Sequence, residues 1–397
     1  MGVIKIKDEI YSVGVLNPNL RVFDIIMRTD YGTSYNSYIV KGEKTVLIDT
    51  AHEKYFEEYL ENILQVTPVE KIDYIVMNHT EPDHSGSLYK LLEMNPSIQV
   101  VSSKPASMYL KGISNTNFES IVVKDGDTLD IGGGRVLQFI IAPFLHWPDS
   151  MFTYLESDKL VFTCDFLGAH YCETRMIDEH ITYPEEYEEA FEYYYRAIFG
   201  PFKKHVMDGL AKLKELDFDT VCPSHGPVLR ERIADSMAKY DEWSRGWNDE
   251  NHPKKVLIAY VSAYGYTRKL AEALAEGAQS AGAEVELVDI IKKDMGATSA
   301  ALHEADGIML GSPTINRDAL APVMNLCNTI DAISNRGKLC FVFGSYGWSG
   351  EAVATVSKRI ETLGLKLYGE GMRVNFKPTE DDLVKAKQTG EEFVKAL

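Results

Sequence analysis

The segment Tyr74-Ile75-Val76-Met77-Asn78-His79-Thr80-Glu81-Pro82-Asp83-His84 decides how the first half of the chain is read. Its first four residues form a short apolar run that reads as a buried strand. The chain leaves the strand end and at once presents two imidazoles and two carboxylates between positions 79 and 84. In an extended backbone the side chains of residues 79, 81 and 83 project to one side. Pro82 suits a loop and argues against a helix through the cluster. A solvated charge run gives no reason for two histidines at this spacing, whereas a metal site does.

Three further candidates lie outward from this cluster. His146 sits in Ala142-Pro143-Phe144-Leu145-His146-Trp147-Pro148-Asp149-Ser150, Asp165 follows Leu160-Val161-Phe162-Thr163-Cys164, and His225 lies in Pro223-Ser224-His225-Gly226-Pro227. Each stands after an expected strand, where a site between two sheets can collect it. The candidate ligands are therefore His79, His84, His146 and His225 with Glu81, Asp83 and Asp165. That is too many for one tetrahedral zinc and suits two metals sharing a bridge. Two divalent ions balance three carboxylates and one hydroxide, so the site is near neutral, as a buried site should be. Nitrogen and oxygen donors without sulfur suit iron or manganese as well as zinc. His52, His180, His205, His252 and His303 read as surface or core residues. His170, close to Asp165 in sequence, is a candidate for contact behind the ligands.

The whole chain has 397 residues, enough for two to three domains. Its 45% hydrophobic and 25% charged residues are ordinary for a soluble globular protein. No apolar run approaches the ~20 residues of a membrane span, and the charged N-terminus does not read as a signal peptide, so a cytoplasmic protein with no membrane partner is expected. The five cysteines form no CxxC pair, which implies neither a disulfide framework nor a thiolate knuckle. A net charge of -18 argues against nucleic acid as a partner. The charge is uneven: residues 251–397 carry 17 basic and 18 acidic residues, leaving 24 and 41 of the totals of 41 and 59 for residues 1–250.

That asymmetry matches a change of pattern. Before about 250, strands come in runs (135–141 and 151–163 among them) with helices near 54–64, 85–93, 184–216 and 230–245, which predicts a layered mixed sheet with helices outside. The polar segment Gly246 to Pro253 reads as a linker. After it, strands at 256–261, 284–288, 307–310 and 339–343 alternate with helices at 267–281, 320–333 and 350–362 and a C-terminal helix, the signature of a parallel sheet wound on both faces. Expected boundaries are 1–250 and 251–397.

The spacing H-x-E-x-D-H, the segment Leu145-His146-Trp147-Pro148-Asp149-Ser150 and the segment Ser224-His225-Gly226 resemble the metallo-β-lactamase superfamily, and within it the A-type flavodiiron proteins, also called rubredoxin:oxygen oxidoreductases. Hydrolases of the superfamily typically show H-x-H-x-D-H; here the second His is Glu81, which offers hard anionic oxygen to a metal that must reach the ferric state. The resemblance implies a protein of α/β and α+β class, with an N-terminal metallo-β-lactamase-like αββα sandwich followed by a flavodoxin-like doubly wound parallel sheet. It implies two irons, one held by His79, Glu81 and His146, the other by Asp83, His84 and His225, with Asp165 bridging. Some members carry a histidine where Arg21-Val22-Phe23-Asp24 has Asp24, which bears on proton delivery.

The second unit resembles a flavodoxin. Ser262-Ala263-Tyr264-Gly265-Tyr266-Thr267 joins a strand to a helix N-terminus, where hydroxyls and free N–H groups form a phosphate cradle. Ser312-Pro313-Thr314-Ile315-Asn316 and Ser345-Tyr346-Gly347-Trp348-Ser349-Gly350 follow two more strands, and ligands bind at such carboxyl ends. Neither a G-x-x-x-x-G-K-[ST] loop nor G-x-G-x-x-G is present, which disfavours nucleoside triphosphates and dinucleotides; the resemblance implies FMN, with Trp348 or Tyr346 as an aromatic wall.

The expected activity is therefore an oxidoreductase reducing O2 to water, NO to N2O, or both, with FMN feeding the di-iron site. The resemblance implies an external donor such as rubredoxin, or a reduced deazaflavin. The chain lacks the cysteine pairs of a fused rubredoxin, and a separate donor is expected to dock on the near-neutral second unit. It also implies a head-to-tail homodimer or a dimer of dimers. Two rival readings use the same residues: a binuclear zinc hydrolase with an appended flavodoxin, which Glu81 argues against, and an electron carrier whose first unit only supports FMN.

Overall fold

The computed structural model describes residues 3–24, 27–245, 253–332 and 335–397. Two compact units divide it, Met1–Trp247 and Asn248–Leu397. Seven of the residues expected to form the linker, 246–252, lie outside the described residues.

The first unit is built on strands buried on both faces. A seven-stranded sheet orders Ile4–Lys7, Ile10–Ser12, Tyr38–Lys41, Thr45–Ile48, Ile72–Met77, Gln99–Ser103 and Glu119–Val123; a five-stranded sheet orders Thr128–Gly132, Arg135–Ile141, Met151–Leu155, Leu160–Cys164 and Thr220–Pro223. The period-two alternation of strand side chains sorts the core. Val40, Val46, Ile48 and Val76 point to a core shared with Phe139, Met151, Leu160 and Phe162 of the other sheet. Their neighbours Ile39, Leu47, Ile75 and Met77 point outward, onto Tyr59, Ile63, Leu91 and Leu110 of the helices. In the second sheet Phe152 and Val161 face outward onto Phe191, Leu210 and Tyr240. The layers are helix, sheet, sheet, helix: the αββα sandwich.

The second unit has one sheet, ordered Glu284–Asp289, Lys255–Tyr260, Gly307–Gly311, Leu339–Tyr346 and Lys366–Leu367, with Met372–Asn375 also paired to Leu339–Tyr346, all parallel. Leu257, Ala259, Ile308, Leu310, Cys340 and Val342 face one helical layer. Val256, Ile258, Met309, Phe341 and Phe343 face the other. The order places the second strand outside the first, the flavodoxin-like doubly wound pattern. No helix among the described residues is long and apolar enough to cross a membrane.

Several local expectations need correction. The 151–163 run is two strands, because Glu156–Asp158 makes a tight turn and Lys159 adopts φ +49. The 184–216 helix is interrupted at Gly200–Phe202, where Pro201 lacks a donor. The 320–333 helix is shorter, Ala321–Asn328. A helix at Met295–Glu304 and the strands Lys366–Leu367 and Met372–Asn375 were not expected. Pro82 does not exclude a helix: Pro82–Ser85 forms one helical turn with Pro82 at its start, where a missing N–H goes unnoticed.

The helices Tyr266–Ser280 and Glu380–Lys395 pack at glycines. A Cβ on Gly277 would lie 1.8 Å from the Lys387 carbonyl oxygen, and one on Gly390 2.2 Å from that of Leu274. Alanine gains about 1 kcal/mol of helix propensity, but overpacking costs about 1–3 kcal/mol and here the obstacle is backbone. Gly277→Ala is expected to lower the melting temperature of the flavodoxin-like unit; a rise would show that the two helices do not meet this closely.

Candidate functional site

The loop after Ile72–Met77 is pinned by two buried carboxylates. Asp49 accepts the N–H groups of Asn78 (2.7 Å) and His79 (3.4 Å), and burial pushes its own carboxyl up to about 7. Asp149 accepts the N–H and hydroxyl of Thr80, both at 2.8 Å, and Nδ1–H of His79 at 3.2 Å. A carboxylate only accepts here, so Nδ1 carries the hydrogen and Nε2 of His79 is left with a bare lone pair. That lone pair faces Glu81 Oε2 at 3.3 Å and Asp165 Oδ2 at 3.6 Å.

His225 repeats the arrangement. Its Nδ1 donates to the Ser34 carbonyl at 2.6 Å. Its Nε2 faces Asp83 Oδ2 at 3.1 Å and Asp165 Oδ1 at 3.5 Å. His146 brings Nε2 to 3.1 Å from Glu81 Oε2 and 3.5 Å from Asp165 Oδ2. His84 brings Nε2 to 3.1 Å from Asp165 Oδ1 and 3.5 Å from Asp83 Oδ2. All seven sequence candidates are thus gathered, in two groups: His79, Glu81 and His146 about one oxygen of Asp165, and Asp83, His84 and His225 about the other.

The donor set fits cations. Both oxygens of Asp83, both nitrogens of His84 and Oδ2 of Asp165 are buried with no hydrogen-bond partner among the described residues. Burial disfavours charged imidazoles, yet the surrounding carboxylates outweigh it: His79 and His146 lie above the usual imidazole range and His84 rises to about 9. Burial also opposes the Asp165 carboxylate, and the histidines, His84 first, hold it well below its ordinary range. The cluster therefore demands positive charge, as protons or as metal ions.

Several contributors are not visible in the sequence pattern. Asp149, Asp49 and Ser34 fix the histidines and their loop, and Tyr194 donates its hydroxyl to Asp165 Oδ1 at 3.1 Å. Cys164 also approaches His84 and Asp165, but burial and then Asp165 raise its thiol well above its ordinary value, and it accepts the Ser224 hydroxyl at 3.4 Å. It is a buried neutral thiol. His170 is buried against His225 and Tyr194, with ring centroids 4.9 and 4.8 Å away. Asp24, at φ +48, turns its carboxyl toward Glu81; partial burial and that hydrogen bond raise it to about 6. His52, His180, His205 and His303 join no ligand group among the described residues; His252 lies outside the described residues.

In the second unit the three quoted loops follow three adjacent strands at the switch point of the sheet order. Gly265 caps Tyr266–Ser280 at φ +80, leaving first-turn N–H groups exposed to a ligand. Ser262 Oγ accepts the Arg268 N–H at 3.2 Å. Not every hydroxyl there is free. Thr267 and Ser345 bond each other at 2.9 Å, Ser312 donates to the Pro313 carbonyl and accepts the Leu320 N–H, and Thr314 accepts the Ala352 N–H. Ser312, Thr314, Thr267 and Ser345 thus stitch the loops together. Tyr264 and Trp348 stand out, 83% and 97% exposed. Large aromatic rings left in water beside these loops are flat surfaces for a flat ligand.

Comparison with known proteins agrees with this geometry. Residues 33–226 match the model of the ODP family beta lactamase, and residues 258–390 that of flavodoxin. The flavo-diiron protein FprA2 of Clostridium acetobutylicum is 51% identical over 402 residues, covering 100% of both chains. The chain belongs to the flavodiiron protein family. The type A flavoprotein fprA of Rhodobacter capsulatus is 37% identical, covering 98% of this chain and 90% of that relative. Among solved structures, the flavodiiron protein of Giardia intestinalis superposes with TM-score 0.70 at 31% identity, covering 100% of this chain and 96% of that one. The rubredoxin oxygen:oxidoreductase of Desulfovibrio gigas superposes with TM-score 0.73 at 29% identity, covering 99% and 98%.

The raised imidazoles give a two-sided pH prediction. In metal-free protein, His84 contributes stability that is fully present below about 6.5 and lost as pH rises through about 9. Metal must displace that proton, so its apparent affinity should rise by about tenfold per pH unit over the same window for each proton displaced. Melting curves and chelator competition with Co(II) between pH 6 and 9 test both; an affinity flat with pH would remove the histidines from the ligand set.

Proposed function

We propose that the chain is a flavodiiron reductase that reduces O2 to water, NO to N2O, or both. Residues 1–250 would hold the di-iron site and residues 251–397 the FMN. The observation that carries the reading is the carboxylate of Asp165, set between two groups of nitrogen and oxygen donors with one oxygen toward each. His79, Glu81 and His146 would hold one iron, Asp83, His84 and His225 the other, and Asp165 would bridge them. When bound, the iron pair would supply two electrons and the reduced flavin two more, the four that O2 needs to become two waters, while two NO need only two.

The protein's own part is positioning and electrostatics. Asp149 and the Ser34 carbonyl fix the tautomers of His79 and His225, so each presents a lone pair and no hydrogen. Tyr194 donates to Asp165 Oδ1, orienting the shared carboxylate. Glu81 is only slightly exposed, and Asp24 stands beside it at the outer edge. In the second unit Ser262, Ala263, Tyr264, Gly265, Tyr266 and Thr267 would cradle the FMN phosphate. The segments Ser312-Pro313-Thr314-Ile315-Asn316 and Ser345-Tyr346-Gly347-Trp348-Ser349-Gly350 would flank the ring, with Trp348 or Tyr346 as its aromatic wall; of these Trp348 is the exposed ring and Tyr346 is half-buried.

The D. gigas relative's name supports a rubredoxin-like protein as donor; a reduced deazaflavin is the alternative. Because each chain would carry both cofactors, a head-to-tail homodimer or dimer of dimers would bring the FMN of one copy to the iron site of the next.

Metal and flavin content per chain is the direct test, on protein produced with iron in anaerobic medium. About two irons and one FMN are expected, with turnover of O2 or NO once the flavin is reduced. Two zincs, no response to added iron and ester hydrolysis without flavin reduction would overturn the reading. Glu81→His, which restores the hydrolase-like spacing, is expected to lower iron retention relative to zinc and to reduce turnover at least tenfold.

A further inference from the structure

Next to His225, on a side lined by neither metal group, is a cavity of about 170 Å³ bounded by the segment from Arg28 to Tyr31, by His170 and by the helix around Tyr193. Two of its lining residues are almost fully buried, His170 at 3% and Thr29 at 1% exposure. His170 Nε2 and Thr29 Oγ1 have no hydrogen-bond partner among the described residues. A buried polar atom left unpaired costs about 1–3 kcal/mol, and both atoms are closed off from the space that the two residues line. The charges at its rim are already engaged: Arg28 with Asp30, Arg196 with Glu192, and the Tyr31 hydroxyl donating to Glu189. An ion finds no unmatched charge there.

The other nitrogen of His170 is tied toward the metal centre. Nδ1 lies 2.9 Å from Thr33 Oγ1, and the same oxygen lies 3.4 Å from Nδ1 of His225. The His170 and His225 rings meet edge to face, and Phe23 packs on both, with centroids at 4.6 and 5.8 Å. The Ser34 carbonyl fixes which nitrogen of His225 carries hydrogen. Phe23, Tyr35, His84 and Tyr194 also stand against the buried His225 ring, and His170 is the wall that Thr33 ties in place.

We propose that His170 is a positioning residue: held by Thr33 on Nδ1, it braces the ring of His225 and so shapes the metal position formed by Asp83, His84 and His225. This rests on the reading of the site as dinuclear. It makes the two metal positions unequal in their dependence on His170, because no corresponding contact reaches His79 or His146.

The test is Co(II) titration of the metal-depleted full chain, followed by its visible bands. Wild-type protein should take two equivalents. His170→Phe and Thr33→Val should weaken one equivalent about tenfold or more and change its band pattern, with the other equivalent unchanged. His170→Asn, which keeps a polar atom near the place of Nδ1, should restore most of the affinity. Two equivalents with wild-type affinity and bands in both His170→Phe and Thr33→Val would overturn the proposal and leave the site reading intact. Equal weakening of both equivalents, with a lowered melting temperature and no rescue by His170→Asn, would assign His170 to packing alone and also overturn it. Fewer than two equivalents in wild-type protein would overturn the dinuclear reading itself.

Discussion

Four carboxylate oxygens and four imidazole nitrogens converge between the ends of the two sheets with almost no hydrogens among them. Buried oxygens and lone pairs facing one another repel, and in a low-dielectric interior that repulsion is strong. Positive charge must enter, as protons on the imidazoles or as cations placed between the groups. The hydrogens on Nδ1 of His79 and His225 are committed to Asp149 and the Ser34 carbonyl, so on those two rings it enters at Nε2. The same constraint explains the backbone nearby. Asp49, Phe144 and Cys164 hold positive φ at +51, +65 and +51, a conformation that costs a side-chain-bearing residue about 1–2 kcal/mol each. They sit at the points where strand ends turn their ligands inward.

Metal binding and folding are therefore one problem in the first unit. The sheets contribute an ordinary apolar core between them, which fixes the strand ends. The ends then carry groups that oppose close approach. A core of this size tolerates the opposition because the ligand loops hold their own hydrogen bonds: Thr80 to Asp149, Ser85 to the Thr80 carbonyl, and Asn36 to the carbonyls of Pro223 and Gly226. The Thr80 and Asn36 bonds join segments distant in sequence, and the Ser85 bond closes the ligand loop on itself.

What the sequence reveals follows from the same division. The candidate ligand cluster was legible because two histidines and two carboxylates between 79 and 84, with each later candidate at a strand end, form a pattern, and the fold gathers all seven. The layers were legible because strands come in runs before about 250 and alternate regularly with helices after it, where a continuous apolar strand reflects burial on both faces. Asp149, Ser34, Thr33 and Tyr194 were not, since their roles exist only through contacts between residues far apart in the chain. Pro82 was misread for a different reason: proline excludes a helix interior but favours a helix start, and only the caps decide which applies. The hydroxyls of the second unit were legible as a cluster but not as individuals. Four of them turned out to bond to each other or to nearby backbone.

Glu81 is where charge decides between chemistries that share this fold. The hydrolase-like spacing places a neutral imidazole at that position; this chain places a carboxylate beside His79 and His146. The change adds one negative charge to a site whose other formal charges come from Asp83 and Asp165. For a metal fixed at +2 the addition brings little, because hydroxide already moves the site toward neutrality. For a pair that cycles between +2 and +3, each oxidation raises the local positive charge, and a hard anionic oxygen stabilises the higher state more than the lower. With iron bound, the Glu81 carboxylate would stabilise the oxidised state relative to the reduced one. Asp24 stands beside Glu81 on its outer side, and partial burial and then that neighbour raise its carboxyl to about 6.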